Sequence, residues 1–167
     1  DKYHLHSYLP VYERLLAHRS VKRLLEVGIG YKDLMVQFLP YWVAYHHGSS
    51  LNMWTTYWPE AEIWACDIRE DTLINEGHIH SVLCDQSSAR SLGDMMHVVT
   101  DGYTKPKLDV VIDYGSHVFD HQRLTAAVLL PEVAPGGVYI IEDTYPDKGA
   151  ELAAMFGGQL VIGNKRP

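Results

Sequence analysis

Two short runs constrain what this chain can fold into more than any other feature. Residues 108–112 are almost wholly apolar and rich in Val and Ile, and residues 137–141 repeat the pattern. Strands covered on both faces look like this, because a strand covered on one face alternates polar and apolar residues. Between the two runs, residues 118–133 place Phe119, Leu124, Val128 and Leu129 at helical spacing, and Pro135-Gly136-Gly137 closes the segment. Strand, helix and strand in that order require a parallel crossover, and therefore an α/β sheet.

Three further strands are predicted at 21–27, 62–68 and 79–84, each a short apolar run bounded by turn residues. Leu5, Leu9, Tyr12, Leu15 and Leu16 mark an amphipathic lead-in helix over the first eighteen residues, with Pro10 in its first turn. The segment 31–47 is crowded with Leu34, Met35, Tyr41, Trp42 and Tyr45, and reads equally as a buried helix edge or as a lid. A length of 167 residues fits one domain: a lead-in helix at 1–20, a core at 21–143 and a C-terminal element at 144–167. A formal charge of −7 repels polyphosphate backbones, so a nucleic-acid partner is not expected and a small neutral acceptor is. No apolar run approaches the ~18 residues that cross a bilayer, which predicts a cytoplasmic protein without a membrane partner. Cys66 and Cys84 fall in strand-like runs and are expected to be buried, reduced thiols.

The polar residues of interest stand where the strands end. Leu24-Leu25-Glu26-Val27-Gly28-Ile29-Gly30 leads a strand into a glycine turn, where absent Cβ atoms let the backbone approach a ligand closely. A dinucleotide fingerprint needs another glycine at position 33, and the chain has Asp33 there, which disfavours pyrophosphate binding. Asp67 closes the next strand, where a carboxylate can accept both hydroxyls of a ribose. Gly30 and Asp67 are 37 positions apart against a usual ~20, so 31–47 reads as an insertion. After the third strand, Asp85 can accept from an adenine amino group and Gln86 can donate or accept, although an Asp here also closes an Asx-turn.

Asp113-Tyr114-Gly115-Ser116-His117 and Ile141-Glu142-Asp143 terminate the two central strands. Ligands of open parallel sheets bind outside the carboxyl ends of the strands, so both groups should face one crevice. His117 and Asp113 are the catalytic candidates, since a histidine with an unperturbed pKa of ~6.5 is a natural general base for a hydroxyl. Glu142 and Asp143 suit a hard divalent cation, which takes oxygen ligands. Plain structural roles compete with these: His117 as a cap of the following helix, and the acids as partners of a neighbouring helix or of water. The other nine histidines show no zinc-ligand spacing with a cysteine.

These motifs resemble, over nearly the whole chain, those of class I S-adenosylmethionine (SAM)-dependent methyltransferases of the macrolide-sugar type, acting on mycinamicin and macrocin, and of their cephalosporin-hydroxylase-like relatives. The resemblance rests on Asp1-Lys2, His6-Ser7-Tyr8 through Tyr12-Glu13, Leu25 to Gly30, Gly48-Ser49-Ser50-Leu51 with Trp54, Cys66-Asp67-Ile68, Asp85-Gln86-Ser87, Ile112-Asp113 with Gly115-Ser116-His117, and Pro135-Gly136-Gly137 before Ile141-Glu142-Asp143. It implies a Rossmann-like three-layer sandwich with a mostly parallel sheet. It further implies SAM contacts at Glu26, Gly28, Gly30, Ser50, Asp67, Ile68, Asp85 and Gln86, with His117 as base on an acceptor hydroxyl in secondary metabolism.

Two departures accompany it. The relatives are expected to hold magnesium through an acid just before Gly-Ser-His and through the Glu-Asp pair, and this chain has Tyr114 at the first position. Only 24 residues follow Asp143, enough for a helix near 149–156 and one strand near 159–162. That predicts a shortened sheet, whose open edge favours homo-oligomerisation. Alternatives to O-methylation are a SAM-binding fold that cyclises, isomerises or eliminates, and a catalytically degenerate SAM-binding or assembly subunit.

Overall fold

The computed structural model describes residues 8–37, 39, 41, 42 and 44–159. In chain order these form α1 (Tyr8–Leu16), β1 (Arg23–Val27), α2 (Lys32–Met35), α3 (Ser49–Tyr57), β2 (Glu62–Asp67), β3 (Ile79–Leu83), α4 (Ala89–Val99), β4 (Leu108–Asp113), α5 (Phe119–Leu129), β5 (Val133–Ile141) and α6 (Pro146–Phe156). The strands make one sheet in the order β3-β2-β1-β4-β5, with every pairing parallel. The order reverses beside β1, and this is where an open α/β sheet forms its ligand crevice.

Alternation along each strand builds the three layers. Leu24, Ile63, Ala65, Val110 and Ile112 face one side, where Tyr12 and Leu16 of α1 and Leu51 and Trp54 of α3 cover them. Leu25, Cys66 and Val111 face the other, beneath Leu92, Met95 and Met96 of α4 and Leu129 of α5. Leu24, Leu25, Ile63 and Val111 are fully buried, each worth roughly 1.5–3 kcal/mol against exposure. The parallel α/β sheet expected from the two apolar runs, and the layered sandwich that the resemblance implies, are the fold observed.

Three local expectations are corrected. The helix predicted over 118–133 stops at Leu129 and passes through a single 3-10 turn, Leu130–Glu132. Pro135-Gly136-Gly137 lies inside β5, where the register jumps from Leu108↔Val133 to Val110↔Val138. Proline offers no ladder N–H and Gly136 adopts φ +79°, so the motif makes a bulge and the strand begins before it. The segment 31–47 is no long helix: Lys32–Met35 gives one turn, and Tyr41 and Trp42 are exposed. Of the lead-in helix, residues 1–7 lie outside the described residues, as do 160–162 of the strand expected at 159–162.

Candidate active site

The carboxyl ends of the strands open into a cavity of about 850 Å³. Its floor is the glycine turn after β1. Gly28 has φ +93°, and a Cβ there would stand 2.8 Å from Gly115 Cα and strike the Tyr114 carbonyl. Only glycine lets the ends of β1 and β4 come this close. Asp67, at the end of β2, braces the turn: its Oδ2 accepts from the N–H groups of Ile29 (2.9 Å) and Gly30 (3.0 Å), and its Oδ1 from that of Arg69 (3.1 Å). A carboxylate has about four lone-pair sites, so Asp67 still has capacity for a ribose hydroxyl on its cavity side.

Asp85 follows β3. Its Oδ1 accepts from Ser87 N (2.9 Å) and Ser87 Oγ (2.6 Å), which holds the carboxyl below its usual range. The expected Asx-turn is therefore present, and Asp85 lines the cavity as well. Gln86 is a bracket between two strand ends. Its Nε2 donates to Asp113 Oδ1 (2.7 Å) and its Oε1 accepts from Ser116 N (2.8 Å). Cys66 and Cys84 touch one another at the cavity wall as buried free thiols. Their mutual hydrogen bond, with burial, pushes Cys66 up, and the same bond lowers Cys84.

The catalytic candidates separate. His117 lines the cavity in a left-handed conformation, φ +57°, and the cap of α5 is Val118, not His117. Asp113 is fully buried behind the wall. Burial pushes its carboxyl up to about 6, against hydrogen bonds from Gly115 N and Gln86 that lower it, and it works as a strut for the 113–117 loop. Among the expected SAM contacts, Gly28, Gly30, Asp67, Ile68, Asp85 and Gln86 line the cavity, whereas Glu26 and Ser50 do not. Glu26 is buried against α3 and accepts from Trp54 Nε1 (2.6 Å). Ser50 sits in the first turn of α3.

The acid pair after β5 is reached from the far end of the sequence. Tyr12 donates to Glu142 Oε1 and Tyr8 to Asp143 Oδ1. Tyr12 also packs edge-on against Trp54, ring centroids 5.3 Å apart, so the aromatic contact that docks α1 also aims its hydroxyl. Burial first, and then the bond to Asp143, push the Tyr8 hydroxyl well above the phenol range, so it remains a donor. Asp143 Oδ2 lies 3.8 Å from His117 Nε2. Magnesium, the cation of the expected kind, is commonly held by one or two carboxylates with water in its remaining positions. Glu142 is buried and does not line the cavity, Tyr114 supplies no carboxylate, and among the described residues no three His, Cys, Asp or Glu side chains cluster closely enough to hold an ion. Glu142 and Asp143 are the two carboxylates that would hold such an ion.

Further residues complete the cavity, of which Arg69 and His121 were not singled out in the sequence. Tyr31, Leu34, Met35, Arg69, Ser116 and His121 all line it, so the first part of the 31–47 segment is cavity wall. His121 Nδ1 is 2.9 Å from Ser116 Oγ. The spacing of four between Tyr8 and Tyr12 puts that pair on one side of α1 and was the available signal for them; no such signal marked His121, because His117 precedes α5 in left-handed backbone.

No protein-family model matches the chain. It is 35% identical over 158 residues to the mycinamicin VI 2''-O-methyltransferase of Micromonospora griseorubida, covering 93% of this chain and 35% of that protein. It is 33% identical over 147 residues to the demethylmacrocin O-methyltransferase of Streptomyces fradiae, covering 84% of this chain and 32% of the relative. The structure of the methyltransferase MycE from mycinamycin biosynthesis, in complex with Mg, S-adenosylhomocysteine and mycinamycin VI, superposes with a TM-score of 0.64 at 32% identity over 91% of this chain and 35% of that one. The resemblance to macrolide-sugar O-methyltransferases thus holds in sequence and in fold. The chain spans about a third of the length of these relatives.

Proposed function

We propose that this chain carries the SAM-binding and catalytic core of an O-methyltransferase whose acceptor is a hydroxyl on the sugar of a small secondary metabolite, with His117 as general base. One observation carries the reading. The cavity that holds the glycine turn, Asp67 and Asp85 has His117 in its own wall, so a nucleoside site and a base share one space. The relatives' activities and the fold match support it.

The cavity fits a nucleoside with a cationic tail. Gly28 and Gly30 leave the floor without Cβ atoms, Asp67 offers its remaining acceptor site to a ribose hydroxyl, and Asp85 offers one to an adenine amino group. Among the described lining residues, Asp67, Asp85 and Asp143 give three carboxylates against the one guanidinium of Arg69, a field that favours a positive centre. When bound, SAM supplies a methyl group on such a centre, a sulfonium. The protein's own contribution is orientation, which accounts for a large share of the barrier in transfers between held partners, and removal of the acceptor proton by the His117 imidazole.

Measuring S-adenosylhomocysteine formation from SAM with mycinamicin VI as the probe acceptor tests the reading. His117→Ala should leave the calorimetric Kd for SAM within about twofold while turnover falls by about 100-fold or more. Absence of SAM binding by the unaltered protein would overturn the cofactor assignment, and unchanged turnover in the variant the base assignment. Product formed without S-adenosylhomocysteine would point to a non-transferase reaction.

A further inference from the structure

The glycine turn is held from outside the cavity as well as from within it. A smaller cleft of about 380 Å³ adjoins the cavity, and Tyr31 and Arg69 line both spaces; the Arg69 guanidinium stacks over the Tyr31 ring, 4.4 Å from its centroid. From this cleft a chain of contacts links the turn to the segment after β2. Tyr45 Oη is 3.3 Å from the Gly30 carbonyl and 3.1 Å from His47 Nδ1, and His47 Nε2 is 2.8 Å from the Thr72 carbonyl. A carbonyl only accepts, so Nε2 carries a hydrogen and donates to Thr72. In a neutral ring Nδ1 is then an acceptor, and the Tyr45 hydroxyl has one proton for two acceptors, of which Nδ1 is the nearer. In a protonated ring Nδ1–H donates to the Tyr45 oxygen, which frees the hydroxyl proton for Gly30. Burial, and then the Asp67 carboxylate, push the Tyr45 hydroxyl above its ordinary value, so it stays a donor in both states.

We propose that Tyr45 and His47 are positioning residues for the nucleoside site, and that a proton on His47 moves the Tyr45 hydroxyl onto the Gly30 carbonyl. The inference rests on the reading of the glycine turn as the cofactor's floor. Gly30 is already tied on its other side, where its N–H donates to Asp67 Oδ2, on the carboxylate offered to the ribose. A donor on its carbonyl therefore fixes the residue through both of its peptide units. The floor is then ordered before a nucleoside arrives, which lowers the cost of binding. His47 is exposed and takes its proton from solvent. The charged groups that share its cleft are Asp71 and Arg69 from the segment after β2, and Lys32 and Asp33 from α2. Asp71 is engaged by two nitrogens of the Arg69 fork, which leaves Thr72 and Tyr45 as the partners of the His47 ring.

Two measurements on the whole protein test the inference. Calorimetry with S-adenosylhomocysteine, which lacks the sulfonium charge, compares the unaltered protein with Tyr45→Phe at about pH 5.5 and about pH 8, on either side of the ~6.5 of a free imidazole. Tyr45→Phe keeps every charge around the cleft and removes only the hydroxyl. It should weaken binding by about 2- to 10-fold at the lower pH, the worth of one hydrogen bond, and by less than about twofold at the higher. His47→Gln should reproduce that pattern, since its amide can donate to Thr72 and accept from Tyr45 but takes no proton. A loss in Tyr45→Phe no larger at the lower pH than at the higher would overturn the proposal. ¹H–¹⁵N spectra without cofactor read the contacts themselves. At about pH 8 His47 should be the Nε2–H tautomer, and the Tyr31 amide, which shares a peptide unit with the Gly30 carbonyl, should shift as His47 titrates and stay still in Tyr45→Phe. An Nδ1–H tautomer, or a Tyr31 amide that moves equally in both proteins, would overturn the relay. Absence of S-adenosylhomocysteine binding by the unaltered protein would instead remove the cofactor reading, and the spectra would still decide the relay.

Discussion

Asp113→Asn separates a buried structural acid from a catalytic one, and its effect can be worked out from the surroundings. Asp113 is fully buried, and burial lifts its carboxyl from 3.8 to about 6. Folding therefore disfavours the ionised form by about two pKa units, or about 3 kcal/mol at ~1.36 kcal/mol per unit. The folded state binds the proton more tightly than the unfolded chain, so stability falls as pH rises from about 4 to about 6 and is level outside that window. Asparagine can keep the acceptor that Gln86 and Gly115 use. It also puts an NH₂ where Oδ2 finds no hydrogen-bond partner among the described residues, a cost of about 1–3 kcal/mol that does not vary with pH. Urea unfolding of both proteins at intervals from pH 4 to pH 7 should show the variant gaining on the original by up to about 3 kcal/mol across the window, whatever the offset at pH 4. A difference that stays flat with pH would mean that Asp113 titrates normally, and the account of it as a desolvated strut would fail.

Other perturbations probe the same framework. Gly28→Ala forces an L side chain into φ +93° and against Gly115 and the Tyr114 carbonyl; it should cost about 2 kcal/mol or more in thermal unfolding and weaken SAM binding in calorimetry. Trp54→Phe keeps the ring against Tyr12 but removes the donor to buried Glu26, an expected loss of about 1.5–3 kcal/mol measurable by denaturant midpoint. Burial alone would raise Glu62, but hydrogen bonds from Lys105 and Arg23 prevail and bring it to about 2. Its contribution is therefore present above about pH 4.5 and lost as pH falls toward 2. Glu62→Gln should flatten the acid limb of the stability curve in that range and lower stability by a constant amount between pH 6 and 8.

The chemistry assigned to His117 depends on elements that meet only at the sheet's carboxyl edge. Strands β1, β2 and β3 deliver the glycine turn, Asp67 and Asp85, and the β4–α5 loop delivers the histidine. The loop keeps its shape because Gln86 bridges Asp113 and Ser116. Gly115 permits that bridge, since a Cβ there would overlap the Gln86 amide.

Much of this was legible in the sequence by itself. Apolar runs of strand length, a helical spacing between two of them and acids at their ends are local properties, and a parallel sheet with polar residues along one edge follows from them without knowledge of any contact. The placement of Gly28, Asp67, Asp85 and His117 at that edge was determined in the same way. The sequence could not distinguish which edge residues turn into the cavity and which turn behind it. Asp113 and Glu26 looked like site residues because they flank the right turns, yet strand alternation and the packing of Trp54 and Gln86 bury both. Pro135-Gly136-Gly137 looked like a helix stop because bulge and stop share one composition, and only pairing with β4 tells them apart. Above all, the attachment of Tyr8 and Tyr12 to Asp143 and Glu142 joins residues 135 and 130 positions apart. No local pattern encodes such a contact; it exists because α1 packs across the sheet and brings its hydroxyls over the end of β5.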